Sequence, residues 1–440
     1  MNDVFKNLCF YSGICFLVMA CSSSQPGLFG TSKTAHQKYS DGLKDAGLRE
    51  SELGKLWFDA ANKGLQQPKS ITLPYKETGY FAAEVPSAMG YVFNVKRGQQ
   101  VVVELQHKPA SQKKIFAELW QTSAAGSEPK FAAALDTTSQ NIRYNIAQDG
   151  KFTVRLQPEL LQAVEYTVTI STAASLAFPV QASGKPRIAS VWGADRDGGA
   201  RSHEGIDIVA KFRTPALAAA NGTVTRVEEN NLGGKVIFLR PDGSDLNLYY
   251  AHLDTQIAQP GQQVKTGEVI GLVGQTGNAR NTVPHLHFGI YTNGGAIDPL
   301  AFIEPTAASP KAVAAPIDVL GRWGRLVKAT DLLETSTAKS KTIEKISSGN
   351  ILRIWAATDN VYWVSLPNGT SGYVASNAVS FKPLQLQNIK KNTPLLDAPS
   401  IDAAAKNTLS VGTSINVLGK YNDFYYVGSN GMEGWIKVEG

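Results

Sequence analysis

Three of the chain's six histidines lie in two short stretches, "HEGID" at 203–207 and "VPHLHFGIY" at 283–291. His285 and His287 are two apart, and on a β-strand that spacing puts both side chains on one face, roughly 6.5 Å from each other. One can bind a metal ion while its neighbour faces the water on that ion. His203 and Asp207 are four apart, which shares a face on a strand as well as on a helix. Gly205 and the β-branched Ile206, Ile208 and Val209 favour the strand. Together the stretches offer His, Asp and His, the ligand count of a catalytic zinc site that leaves its fourth position open. Two imidazoles and one carboxylate suit Zn²⁺, whereas an all-oxygen set would suit Ca²⁺ or Mg²⁺. Water in the open position loses its proton near neutral pH and attacks a carbonyl polarised by the same ion. His252, in "YYAHLD", and His285 are then spare, and each can act as general base or as donor to the oxyanion. His36 and His107 stand alone in polar surroundings and read as surface or satisfied core residues.

Strands must hold these groups. The runs "GTVTRVEE", "GKVIFLR", "LNLYYAHL", "GEVIGLVG" and "HLHFGIY" follow one another, separated by "NNLGG", "PDGSD" and "QTGNARNTVP". The pattern is nearly all β. "SGKPRIASVWGADRDGGARS" reads as a Gly-rich lead into this domain, which spans 185–304.

"HEGID", "YAHLD" and "PHLHFGIY", with "GQQVKTGEVIGLVGQTGNAR" between the last two, resemble the lysostaphin-type (LytM-type) zinc endopeptidases, which cut peptide cross-links of bacterial peptidoglycan. The resemblance covers about residues 185–304, with order, spacing and flanks in agreement. It implies that His203, Asp207 and His287 are the zinc ligands, and that His252 and His285 are the catalytic pair beside the water. Gly-Thr-Pro is frequent in that family where this chain has Arg213-Thr214-Pro215, a loop change away from the ligands. Some relatives have lost ligands and only activate amidases; this chain retains all five positions. The competing class is a non-catalytic scaffold that binds the wall or activates another peptidoglycan hydrolase, and loss of a ligand would mark it.

Around this domain the period is mostly two. Tyr91, Phe93 and Val95, Val101, Val103 and Leu105, Phe152, Val154 and Leu156, and Tyr166, Val168 and Ile170 predict an antiparallel β-sandwich over 70–172, with turns at "KRGQQ" and "AQDGK". It holds no cluster of reactive residues, so binding or spacing is its expected job. Before it, Ser51 is a plausible N-cap for a short helix carrying Leu53, Leu56, Trp57, Ala60 and Ala61 on one face. After "TAASPKAVAAP" at 306–316, an Ala/Pro linker, comes an internal repeat over 317–382 and 383–440. It aligns Gly349 with Gly412, Val364 with Val427 and Gly372-Tyr373-Val374 with Gly434-Trp435-Ile436. Each unit resembles the bacterial SH3-like domains of cell-wall hydrolases.

The start of the chain is an address. "MNDVFKNLCFYSGICFLVMAC" has one basic side chain and an apolar run too short to span a bilayer, as in a secretory signal over 1–20. "LVMAC" resembles the lipobox of bacterial lipoproteins, which implies lipidation of Cys21, followed by a tether and the short helix over 21–69. Cys9, Cys15 and Cys21 all lie at or before the cleavage point, so no disulfide is expected. Ser22 after the cysteine favours, by analogy with enteric lipoproteins, the periplasmic side of the outer membrane in a Gram-negative cell. The chain's 440 residues carry a net charge of +6 without a Lys/Arg block, which argues against nucleic acid as a partner. The expectation is a mainly β, multidomain zinc endopeptidase. Its partners are peptidoglycan, the membrane through its lipid, and proteins of the cell envelope.

Overall fold

A computed structural model describes residues 33–109, 114–122, 128–135, 141–181, 187–304, 309–337 and 339–438. The signal-like segment, Cys21 and the tether as far as residue 32 lie outside the described residues, as do 182–186 of the Gly-rich lead and 305–308 around the linker. No helix among the described residues is long and apolar enough to cross a membrane.

The sandwich is built as the period of two requires. One sheet runs in the order Lys69–Ser70, Met89–Val95, Gly150–Pro158, Ile115–Thr122 and Lys130–Ala134. The other contains Tyr75–Phe81, Val164–Ala174, Gln99–Lys108 and Asn141–Asn145. All twelve alternating residues singled out above are buried in the core between them. The helix Glu52–Gln66 lies against the first sheet, with the Ser51 side chain accepting from Gly54 N–H as its cap. Its buried face differs from the expected one. Gly54, Trp57, Ala60, Ala61 and Gly64 are buried, while Leu53 and Leu56 are exposed. Small residues let the helix approach the sheet closely, and the stripe narrows to Trp57 and its glycine and alanine neighbours. His36 is a satisfied core residue, 2.8 Å from Gln157 Oε1 and stacked on Trp57. His107 is half-buried and its Nδ1 lies 3.0 Å from the carbonyl of Pro109.

The C-terminal repeat is also a structural repeat. Strands Thr330–Leu333, Thr342–Ile346, Ile351–Thr358, Val361–Ser365 and Ser371–Ala375 recur as Thr393–Leu396, Ala405–Leu409, Ser414–Tyr421, Phe424–Ser429 and Met432–Lys437. The equivalent closing pairs are Leu333 with Tyr373 and Leu396 with Trp435. Gly349 and Gly412 share a left-handed backbone, φ 82° and 83°, which only glycine adopts freely. The two units meet through Ile351, Leu396, Phe424, Tyr426 and Trp435.

The first unit is not separate from the sandwich. Ile351–Thr358 pairs with Tyr75–Phe81, extending the second sandwich sheet to eleven strands. Beneath this seam Glu77 is fully buried and accepts from Lys69 Nζ at 2.7 and 2.8 Å, Tyr75 OH at 2.6 Å and Tyr91 OH at 2.7 Å. Tyr75 OH reaches Tyr373 OH at 3.3 Å, and Lys69 Nζ lies 4.9 Å over the Trp363 ring. Burial lowers the Lys69 pKa, and Glu77 pulls it back up.

The central domain is a ten-stranded antiparallel sheet. Its main path runs Arg187–Ser190, Ile206–Val209, His285–Thr292, Asn247–Gln256, Gly234–Pro241, Gly222–Asn230 and Gln263–Val264. Ile206, Ile208, Leu248, Tyr250, Leu286, Phe288 and Ile290 fill one face. Leu176 and Val180 join that core, so it draws on residues before the Gly-rich lead.

Candidate metal centre

The face opposite that core carries the reactive side chains. Asp207 alternates with buried Ile206 and Ile208 and sits directly across from His287, while Val209 faces His285. His203 precedes the strand rather than lying on it. Its amide donates to the Ala194 carbonyl at 2.9 Å, and the strand starts at Ile206. Gly205 permits this entry, because a Cβ there would lie 2.6 Å from the Phe288 carbonyl oxygen and 2.7 Å from His287 Nε2.

His203 Nε2, Asp207 Oδ1 and His287 Nδ1 form a triangle with all three sides 3.0 Å. Ligand atoms about 2.0–2.1 Å from a tetrahedral zinc stand roughly 3.3 Å apart, so the triangle has the dimensions of one face of such a site. Tautomers agree with this. His203 Nδ1 lies 2.9 Å from the Val191 carbonyl, which can only accept, so the neutral ring turns the lone pair of Nε2 toward Asp207. Arg196 Nη2 donates to Asp207 Oδ2 at 2.7 Å and to Ser190 Oγ at 2.8 Å, leaving Oδ1 to the triangle. Burial acts to raise the Asp207 pKa, but the closeness of the His203 and His287 rings outweighs it and holds the carboxyl far below the usual range. Burial lowers the pKa of His287. Three buried or half-buried donors converging their lone pairs on one point fit a cation, and His203, Asp207 and His287 could hold a metal ion.

His252 reaches this face through a bulge. Along Asn247–Gln256 the core takes Leu248 and Tyr250, then Leu253, so the alternation gains a residue at 251–252. His252 absorbs it with a left-handed φ of 60°, sparsely populated for residues with a side chain. Its Nδ1 donates to the Thr276 carbonyl at 2.9 Å. His285 Nδ1 does the same to the Val283 carbonyl at 2.8 Å, and its Nε2 lies 3.9 Å from Asp207 Oδ1. Burial, followed by the charges of His285 and His287, lowers the His252 pKa to about 4. All five residues named from the sequence thus line one groove of about 1110 Å³.

The sequence did not point to Arg196, Ser190 or the Val191 carbonyl. They lie in the Gly-rich lead, whose strand Arg187–Ser190 pairs with Ile206–Val209. A main-chain acceptor leaves no trace in residue type. Tyr249 and Phe238, on the groove floor, could have been found from strand alternation. Arg213, where the resembling family often has glycine, has a φ of 65°, and its amide donates to the Val273 carbonyl at 2.8 Å. The loop therefore keeps a conformation that glycine would adopt more freely.

Comparison with known proteins agrees with this geometry. Residues 201–299 match the model of peptidase family M23. The peptidoglycan DD-endopeptidase ShyC of Vibrio cholerae is 35% identical over 109 residues, covering 25% of this chain and 24% of that protein. The L-Ala–D-Glu endopeptidase of Bacillus subtilis is 37% identical over 127 residues, 27% of this chain and 39% of that protein. The uncharacterized lipoprotein YgeR of Escherichia coli is 37% identical over 115 residues, 26% of this chain and 43% of that protein. This chain therefore spans well under half the length of each of these relatives. The strands that bring His203, Asp207, His252, His285 and His287 together lie within the matched segment, and the chain carries a domain of peptidase family M23 over residues 201–299.

Proposed function

We propose that the chain is a zinc endopeptidase that hydrolyses peptide cross-links of bacterial peptidoglycan, held at the cell envelope by a lipid on Cys21. The observation that carries this reading is the 3.0 Å triangle of His203, Asp207 and His287 beside two histidines whose Nδ1 atoms are already committed to carbonyls. When bound, zinc supplies Lewis acidity, which polarises the scissile carbonyl and acidifies water. The protein does the rest. Arg196 keeps Asp207 turned so that one oxygen faces the triangle. With their protons held on Nδ1 by hydrogen bonds to carbonyls, the neutral rings of His252 and His285 each leave an Nε2 lone pair free to take a proton. A lowered pKa keeps His252 in that neutral form at physiological pH. The ring protonated at Nε2 becomes a donor and can return the proton to the departing amine.

Two relatives named as endopeptidases support the reaction class, and their different names leave the peptide bond to experiment. "LVMAC" and a relative named as a lipoprotein support the anchor, and Ser22 favours the periplasmic side of the outer membrane in a Gram-negative cell. The five-stranded repeats are read as SH3-like modules that hold the enzyme to the wall.

The test is digestion of purified, typed peptidoglycan by the zinc-loaded chain, with the released muropeptides identified by mass. Uncrosslinked products are expected, and Asp207→Ala or His203→Ala should lose both the zinc and the cutting. A wild-type chain with a full zinc complement that leaves every wall type uncut would establish the scaffold instead.

A further inference from the structure

The groove continues well past the metal centre, and its far end is cationic. Across the sheet, Asp207 pairs with His287, His287 with Ala251, Tyr249 with Phe238 and Phe238 with Arg226. A neighbouring row runs from Tyr291 to Asn247, with Arg240 next along. Arg226 and Arg240 both line the groove and are exposed. The Arg226 guanidinium lies 3.9 Å from the centre of the Phe238 ring, a stacked arrangement that orders the arm before any ligand arrives. Among the described residues it pairs with the Glu228 carboxylate, 3.9 Å away with both side chains in solvent, a pairing of little strength. No partner holds Arg240 among the described residues. The groove's own carboxylates are elsewhere: Asp207 is in the triangle, and Glu204 accepts from Tyr291 OH at 3.4 Å.

From this arrangement we propose that Arg226 and Arg240 form a carboxylate-binding subsite that selects substrates bearing a free carboxylate remote from the scissile amide. The proposal rests on the endopeptidase reading and names the substrate class within it. Three strand spacings of about 4.8 Å separate the His287 strand from the Arg226 strand, roughly 14 Å in all, the reach of about four extended residues. Guanidinium groups donate parallel hydrogen bonds to the two oxygens of a carboxylate, and a carboxamide or a neutral glycine chain offers no such charge. Peptides that carry acids at that distance are therefore favoured over their amidated or glycine-only counterparts.

The probe is a pair of synthetic cross-linked peptide dimers, identical except that the carboxylates of one are carboxamides in the other. Zinc-loaded full-length chain should prefer the acid form by at least about tenfold in kcat/KM, mostly through KM, and added salt should shrink that preference. In the Arg226→Gln/Arg240→Gln chain the ratio should fall toward one, with zinc content equal to wild type as proof of folding. Calorimetric binding of the same pair to zinc-loaded His285→Ala chain, with and without the arginine substitutions, should show the same preference. Equal cleavage of both forms by wild type, or a preference that survives loss of both arginines, overturns the subsite and leaves the endopeptidase reading in place. Arginine-dependent binding of the acid form by a wild type that cuts neither dimer keeps the subsite and overturns the endopeptidase. Failure of the acid dimer to bind overturns the subsite.

Discussion

His252 and His285 stand edge to face with ring centroids 5.0 Å apart, and each donates a hydrogen bond from its Nδ1–H to a main-chain carbonyl, Thr276 and Val283 respectively. Neither ring shares the ligand triangle, yet His285 Nε2 comes within 3.9 Å of its Asp207 corner. Under the proposed function, holding the metal and moving the proton fall to different side chains on one wall.

That division is testable by separating metal content from turnover. His285→Ala and His252→Asn should keep a full zinc complement, measured by elemental analysis. General acid–base help is typically worth about 10²–10⁴-fold, so each variant should cut peptidoglycan at least roughly a hundredfold more slowly. Asparagine is chosen at 252 because it tolerates the left-handed backbone. A variant that loses its zinc would show that the residue is a ligand.

Gly205→Ala should damage the site while every ligand residue is kept. Its Cβ would sit 2.7 Å from His287 Nε2 and 2.6 Å from the Phe288 carbonyl oxygen, so ring or strand must move. Overpacking of this kind costs about 1–3 kcal/mol, and zinc affinity should fall with it. Thermal melting and competitive zinc titration read the two effects, and wild-type values in both would show that the His203 loop can open without consequence.

Acid should destabilise the metal-free domain through His252. Its folded pKa of about 4 lies below the ordinary 6.5, so between those values the unfolded chain holds a proton that the folded ring does not. Stability from this group is complete above pH 6.5, declines as pH falls and levels off below about 4. The loss is on the order of 3 kcal/mol. Denaturant titrations in chelator at pH 7 and pH 4.5 should differ less for His252→Asn than for wild type.

At the seam between sandwich and first repeat, Lys69→Met would leave Glu77 buried with only tyrosine hydroxyls. Breaking a buried pair from one side costs about 3–5 kcal/mol, whereas Lys69→Met/Glu77→Leu should recover much of that loss. Chemical denaturation of the two chains checks the order, and equal stability of both would mean that water reaches Glu77.

Spacing and residue type alone were enough to name the three residues that converge in the triangle, because i and i+2 share a strand face whatever the strand packs against, and because histidine is scarce in this chain. The same local logic showed the twelve core positions of the sandwich and the repeat, whose equivalent strands begin 61 or 63 residues apart. What a period of two cannot carry is which strands meet, or where one gains a residue. The bulge that turns His252 out of the core, the Val191, Thr276 and Val283 carbonyls that set three tautomers, and Arg196 behind Asp207 all depend on contacts between segments brought together by folding. So does the seam joining Tyr75–Phe81 to Ile351–Thr358, nearly three hundred residues away in sequence. Leu53 and Leu56 make the same point in a helix: amphipathic spacing marked a face, but the close approach permitted by Gly54, Ala60, Ala61 and Gly64 decided which side of it was buried. Side-chain chemistry is a property of the residue and is visible in its letter, whereas register and main-chain partners are properties of pairs of segments and exist only once the chain is folded.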